Sequence, residues 1–272
     1  MKDHVITLPK FIDDGRIDNI LELLNLVRTK DSSFILDFTE VKEISAAGLV
    51  ILNCISDSII EHKRKVGVKN LSLSSSLNNH IKNLFNYQSN QMLSMTQMAY
   101  EDKNNIVWGA INSLDPSFPD RIDNKFQNIL SEDQLWYVRL IINELMQNSL
   151  DHSTAERYFF YAGIKNNDFI FGVCDMGVSI PAKLEQKYIC EDDKAYLLKS
   201  LELGVGTRRI RCGGLGLNHM FEILKQQKGR LVIVSRYAQI RKYFARRKTE
   251  ANFLKKPLRG TWCMARIPIS QG

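Results

Sequence analysis

The sequence predicts an α/β protein of two domains, and three observations carry that reading. Short apolar runs alternate with helical periodicity between residues 17 and 73, the pattern of a βα layer with a mostly parallel sheet. A turn signal at Lys165-Asn-Asn167 joins two apolar strands, the second of which ends in Asp175. A glycine-rich turn, Cys212-Gly-Gly-Leu-Gly-Leu-Asn218, opens an apolar helix. A chain of 272 residues has room for one or two such units.

In the first unit, apolar residues at 17, 20, 21, 23, 24 and 27 mark a helix. Phe34–Phe38 is a short strand, residues 41–48 are a turn, and residues 49–60 return to helical periodicity. The positive charge of residues 62–65 suits the carboxyl end of that helix. Val66–Leu73 supplies a further strand, Ser74–Asn79 a turn or cap, and His80–Tyr87 a helix. Pro116 and Pro119 punctuate a boundary. The division expected is a first domain over 1–95, a linker over 96–119 and a second domain over 120–272. Within the latter, Ser131 followed by Glu132 and Asp133 starts a helix. Strands are expected over 157–164, 168–174, 230–235, 240–244 and 261–267, with a charged loop over 182–212 and a basic loop over 245–258.

Hydrophobic content of 44% and charged content of 25% are those of an ordinary globular protein. The net charge of +7 is uneven: residues 236–259 hold nine Lys and Arg against Glu250. Such a segment is either a solvated hairpin tip, the favoured reading, or a surface for an acidic partner, nucleic acid or anionic lipid. Cysteines 54, 174, 190, 212 and 263 form no Cys-x-x-Cys pair and read as reduced, which points to the cytoplasm. No apolar run is long enough to span a bilayer, and the first residues do not begin a signal peptide. A Walker P-loop and a dinucleotide fingerprint are both missing, and no histidine cluster has metal-ligand spacing.

The stretch Ile141–His152 concentrates the chemistry. On a helix, Glu144, Asn148 and His152 share one face, while Ile141, Ile142 and Leu145 turn inward. That face is either a solvated polar stripe or a divalent-metal and phosphate site, since magnesium takes oxygen ligands and borrows the rest of its shell from phosphates. Asp175 sits at a strand end before Gly177, and Thr261 follows Gly260 in the last strand. Gly204-Val-Gly-Thr-Arg-Arg209 offers hinges and guanidiniums, including Thr207 and Arg208. Gly214, Leu215, Gly216 and Leu217 lie at a helix start, where backbone N–H groups bind anions.

In chain order, Ile141–His152, Asp175 with Gly177, Gly214–Leu217 and Gly260-Thr261 resemble the N-box, two glycine boxes and terminal Gly-Thr strand of the GHKL superfamily over roughly residues 120–270. The resemblance implies a Bergerat α/β sandwich on a mixed sheet that binds ATP and Mg2+. It implies Glu144 as general base or water-orienting residue and Asn148 as magnesium ligand. His152, Thr207 and Arg208 would meet phosphates, and Gly214 to Leu217 would wrap them. Asp175, Gly177 and Thr261 would seat adenine. Ser179 stands where the family usually has a second glycine, and a serine held at positive φ there costs about 1 kcal/mol.

Residues 36–52, with Ser45-Ala-Ala-Gly-Leu49, look like the central strand, turn and helix of STAS domains. In partner-switching members the residue before the glycine is a phosphorylated serine. Here it is Ala47, so the usual phosphoswitch is missing, and Ser45 reads as a helix N-cap. The two resemblances together imply a regulatory protein similar to anti-sigma-type serine kinases, with a STAS-like or sigma-factor-like protein partner. Its ATP is transferred or hydrolysed, or it only gates protein binding without turnover.

Overall fold

The computed structural model describes residues 4–29, 33–62, 65–85, 99–111, 117–152, 154–155, 157–202, 204–205 and 215–269. The fold is mixed α/β with parallel and antiparallel sheets. Its first part runs β1 (His4–Thr7), β2 (Phe11–Ile12), α1 (Ile17–Thr29), β3 (Phe34–Asp37), β4 (Glu43–Ile44), α2 (Ala46–Glu61), β5 (Val66–Lys69) and α3 (Ser75–Phe85). Strands β1, β3 and β5 pair in parallel with β3 central, and β2 pairs in parallel with β4.

Ser45 caps α2 as expected, its hydroxyl accepting from the Gly48 N–H at 3.1 Å. Gly48 has a steric reason as well: a methyl group there would overlap the carbonyl oxygen of Ile12. Helix α2 is buried almost all round, from Ala46 and Ala47 through Leu49–Leu52 to Cys54, Ile55 and Ile59. A helix apolar on every side needs cover on every side.

The cover comes from the second part. It continues with β6 (Ala99–Glu101), β7 (Asn105–Ile111), α4 (Phe118–Phe126), α5 (Glu132–His152), β8 (Arg157–Lys165) and β9 (Asp168–Asp175). Then follow α6 (Ile180–Leu184), α7 (Asp193–Lys199), α8 (Leu215–Gln226), β10 (Arg230–Tyr243) and β11 (Lys248–Pro268). Six strands form one sheet in the order β10-β11-β9-β8-β7-β6. Helices α4, α5 and α8 cover one face with Phe126, Ile142, Leu145 and Leu224. The other face, with Phe159, Tyr161, Trp262 and Met264, joins α1, α2 and the small parallel sheet in a single core. Burying each such side chain stabilises the fold by about 1.5–3 kcal/mol.

Five expectations are corrected. Residues 99–111, assigned to the linker, are β6 and β7 and complete one edge of the large sheet. The large sheet is antiparallel at every described pairing rather than mixed. The reason is that hairpins supply its strands two at a time, and the return arm β11, not β10, lies beside β9. The basic loop is mostly strand: β10 and β11 pair out to Tyr243 and Lys248, with irregularities around Arg236. Residues 180–199 fold as α6 and α7 rather than as a loop. Arg236 pins them to β10 by ion pairs to Asp193 and Glu185. Ser179 is extended at φ −70°, not at positive φ, and its hydroxyl caps α6 by accepting from the Ala182 N–H.

Candidate functional site

Of the residues singled out from the sequence, those the structure describes lie toward one end of the large sheet. Gln134, in the first turn of α5, donates to the Pro268 carbonyl at 2.8 Å, which fixes that helix start at the end where Pro268 pairs with Asp168. From there α5 climbs about 21 Å to Asn148 at 1.5 Å per residue. Strand β9 climbs about 23 Å from Asp168 to Asp175 at 3.3 Å per residue. Both therefore arrive at the same level, and α5 packs against β9 and α8. Helix α8 ends at the Arg230 side, since Gly229 donates to the Leu224 carbonyl, so its start at Leu215, Gly216 and Leu217 faces the Asp175 end. Thr207, Arg208 and Gly214 lie outside the described residues. So does the side chain of His152, whose backbone closes α5.

Asp175 is 3% exposed and accepts the Gly177 N–H at 3.0 Å. It stands in register between Tyr158 and Thr261 on the two neighbouring strands. Burial first, and the Asp175 charge second, push the Tyr158 hydroxyl pKa up. The same two causes raise the Cys263 thiol to about 12. These two neighbours of the carboxylate are thus neutral. Cys174 directly behind it is also a neutral thiol, 3.7 Å from Cys54 of α2. The cysteines in view are free, as expected.

Gly260 turns the chain beside Asp175 at φ +88°, and a methyl group on it would overlap the Asp175 carbonyl. Ser235 then sets the polarity of Thr261. Its hydroxyl donates to the Gly260 carbonyl at 2.7 Å and accepts the Ile180 N–H at 2.9 Å. With its one proton used, its 3.1 Å contact to the Thr261 hydroxyl has Thr261 as donor. Thr261 is left to offer a bound molecule lone pairs. Ser235 was missed in the sequence; its only signal is a hydroxyl ending the apolar run Leu231–Val234.

Glu144 and Asn148 are both half-buried, one turn apart on α5. The Asn148 Nδ2 is buried with no acceptor. A buried donor left unmade costs about 1–3 kcal/mol, which an anionic oxygen would relieve. That unmet donor fits a phosphate. Among the described residues no three His, Cys, Asp or Glu side chains converge as a metal cage. A magnesium ion would therefore share Asn148 and nearby groups with the phosphates it accompanies.

A cavity of about 750 Å³ opens elsewhere, between the start of α2, the loop before α3 and the β8 end of the large sheet. Its polar lining is largely engaged. Asp102 accepts from Asn104, Asn105 and Tyr100, and Lys165 is paired with Asp13 and Glu43. Buried donors without an acceptor occur elsewhere too among the described residues, on Arg230 and Arg266 among others. The one on α5 is Asn148, and the Asp175 end, where it joins a buried carboxylate turn, is the candidate site. No described helix is long and apolar enough to cross a membrane. Comparison with protein-family models, with curated proteins and with solved structures finds no match for this chain.

Proposed function

We infer that this chain is a cytoplasmic, Mg-ATP-binding regulatory protein of the GHKL type with a STAS-like amino-terminal part. The observation that carries the inference is the meeting of a buried aspartate, a backbone turn and an unmet amide donor at one sheet end. Adenine and phosphate need those two kinds of group about one nucleotide length apart. Asp175 would accept from the exocyclic amine of adenine, and Thr261 would accept beside it. Asn148 would donate to phosphate and help hold magnesium, and Glu144 would orient the attacking water or hydroxyl. Bound Mg2+ would neutralise charge on the transferred phosphate. A STAS-like or sigma-factor-like protein is the partner this reading implies. Calorimetry with Mg-ATP against Mg-GTP tests it: micromolar or tighter binding of ATP alone is expected, and equal affinity or none removes it.

A second reading, in which nucleotide only changes partner affinity, is favoured by one observation. The turn that would take a phosphate within this chain has no acceptor. Ala47 is 2% exposed and the Ser45 hydroxyl is committed to the cap of α2. Phosphate release after Mg-ATP addition separates the two: turnover supports the first and tight binding without turnover the second.

A further inference from the structure

The positive charge of this chain has an address. Residues 236–259 hold nine basic residues and one acid, which leaves 28 basic and 29 acidic residues for the rest of the chain. The fold sorts those nine. Arg236 is taken by Asp193 and Glu185, Arg259 by Glu61 and Lys248 by Glu250, and Arg241 lies in register with Glu250. Lys242, Arg246, Arg247, Lys255 and Lys256 meet no carboxylate among the described residues. They are spread along the β10–β11 hairpin, from its tip at Arg246 and Arg247 to the segment just past Phe253.

Two aromatic rings stand out of the fold in the same hairpin. Phe253, which pairs with Ala238, is 55% exposed, and Tyr237, the residue before Ala238, is 47% exposed. Lys194 of α7 places its amine 4.2 Å from the Phe253 ring. Exposed rings flanked by unpaired cations are what nucleobases stack on and phosphates track along. The stretch from Phe253 to Arg247 is about 20 Å of strand, enough for about four nucleotides, the short end of single-strand sites.

We propose that the β10–β11 hairpin binds single-stranded nucleic acid, with Phe253 and Tyr237 stacking on bases and Lys242, Arg246, Arg247, Lys255 and Lys256 meeting phosphates. A duplex is disfavoured by the shape. The tip is folded back, Phe244 donating to the Gly229 carbonyl and its ring packing on Phe221, so no free ribbon projects into a groove.

The test is fluorescence anisotropy of the full chain with a labelled single strand of about 12 nucleotides, between about 50 and 200 mM salt. For four phosphates the affinity is expected to fall about fiftyfold across that range. Phe253→Ala, at an exposed position, should weaken binding about five- to 150-fold at both salt levels, and Phe253→Trp should restore it. The pair Arg246→Ala and Arg247→Ala should lower the salt slope by about 1.4. No binding of the strand, equal or tighter binding of the matching duplex, or capture only by anionic vesicles overturns the proposal. So does an affinity that ignores Phe253→Ala, because charge alone would then be holding the strand.

Discussion

The two ends of the large sheet are built on opposite principles. At the Asp168 end, charges are answered by charges. Lys165 pairs with Asp13 and Glu43, Arg266 with Asp168 at 3.2 Å and Asp14 at 3.6 Å, and Arg230 approaches Asp14 at 3.9 Å. Those acids at 13, 14 and 43 come from the first part of the chain, so this end fastens the two parts together. At the Asp175 end, the carboxylate is ringed by hydroxyl, thiol and backbone, and the Asn148 amide still lacks an acceptor. The ion-paired belt holds structure, though the Nε groups of Arg230 and Arg266 find no acceptor there, while at the Asp175 end the unmet donor is an uncharged amide.

Substitutions can break that contrast, beginning with the largest effect. Glu144→Ala should lower turnover about a hundred- to ten-thousandfold while ATP still binds, as seen by phosphate release beside calorimetry. Unchanged turnover would take Glu144 out of the chemistry. Gly260→Ala strains a left-handed turn and crowds the Asp175 carbonyl. It should cost about 2–4 kcal/mol by thermal melting and disturb the site with it. Asp175→Asn should weaken ATP about five- to a hundredfold and erase the preference over GTP, read by calorimetry. Asp14→Asn, at the belt, should cost about 1–3 kcal/mol of stability and leave ATP affinity within about twofold. If Asp14→Asn altered affinity as much as Asp175→Asn does, the division between the ends would fail.

The smallest effect is one of pH. Burial works to raise the Asp193 pKa, but its bonds to Arg236 and the Tyr237 N–H outweigh that and leave it lowered. A carboxylate with a lowered folded pKa stabilises above its unfolded value of about 3.9, and the contribution is lost as pH falls through the folded value. Exchange protection in α6 and α7 should therefore drop at acid pH before the core opens. Asp193→Asn should remove that pH dependence.

Much of this was legible because local chemistry dictated it. The Asn166 and Asn167 turn adopts positive φ at both residues, the hairpin geometry those side chains favour. The cap at Ser131, whose hydroxyl accepts the Gln134 N–H, follows from the same local rules. Strands β6 and β7 escaped because only the partner β8 gives the short run Asn105–Ile111 its identity. Residues 248–258 alternate too many charges to read as strand and are held there by pairing with β10. The shared core left one readable signal, the apolar character of α2 on every side. The Asp175 end was readable as residue types in order, while the role of Ser235 needed the register of β10 against β11.

Helix α1 packs on β11, and the Lys255 N–H donates to Asp18, so partners far apart in the chain must find each other. Contacts so far apart in the chain are slow to form. When α1 and α2 have been made, α2 still lacks β7, β8 and β9, and α1 still lacks residues 248–268. The nascent chain is thus exposed to chaperones and proteases for most of its translation. A product cut short before β11 lacks an interior strand of its sheet and the partner of α1.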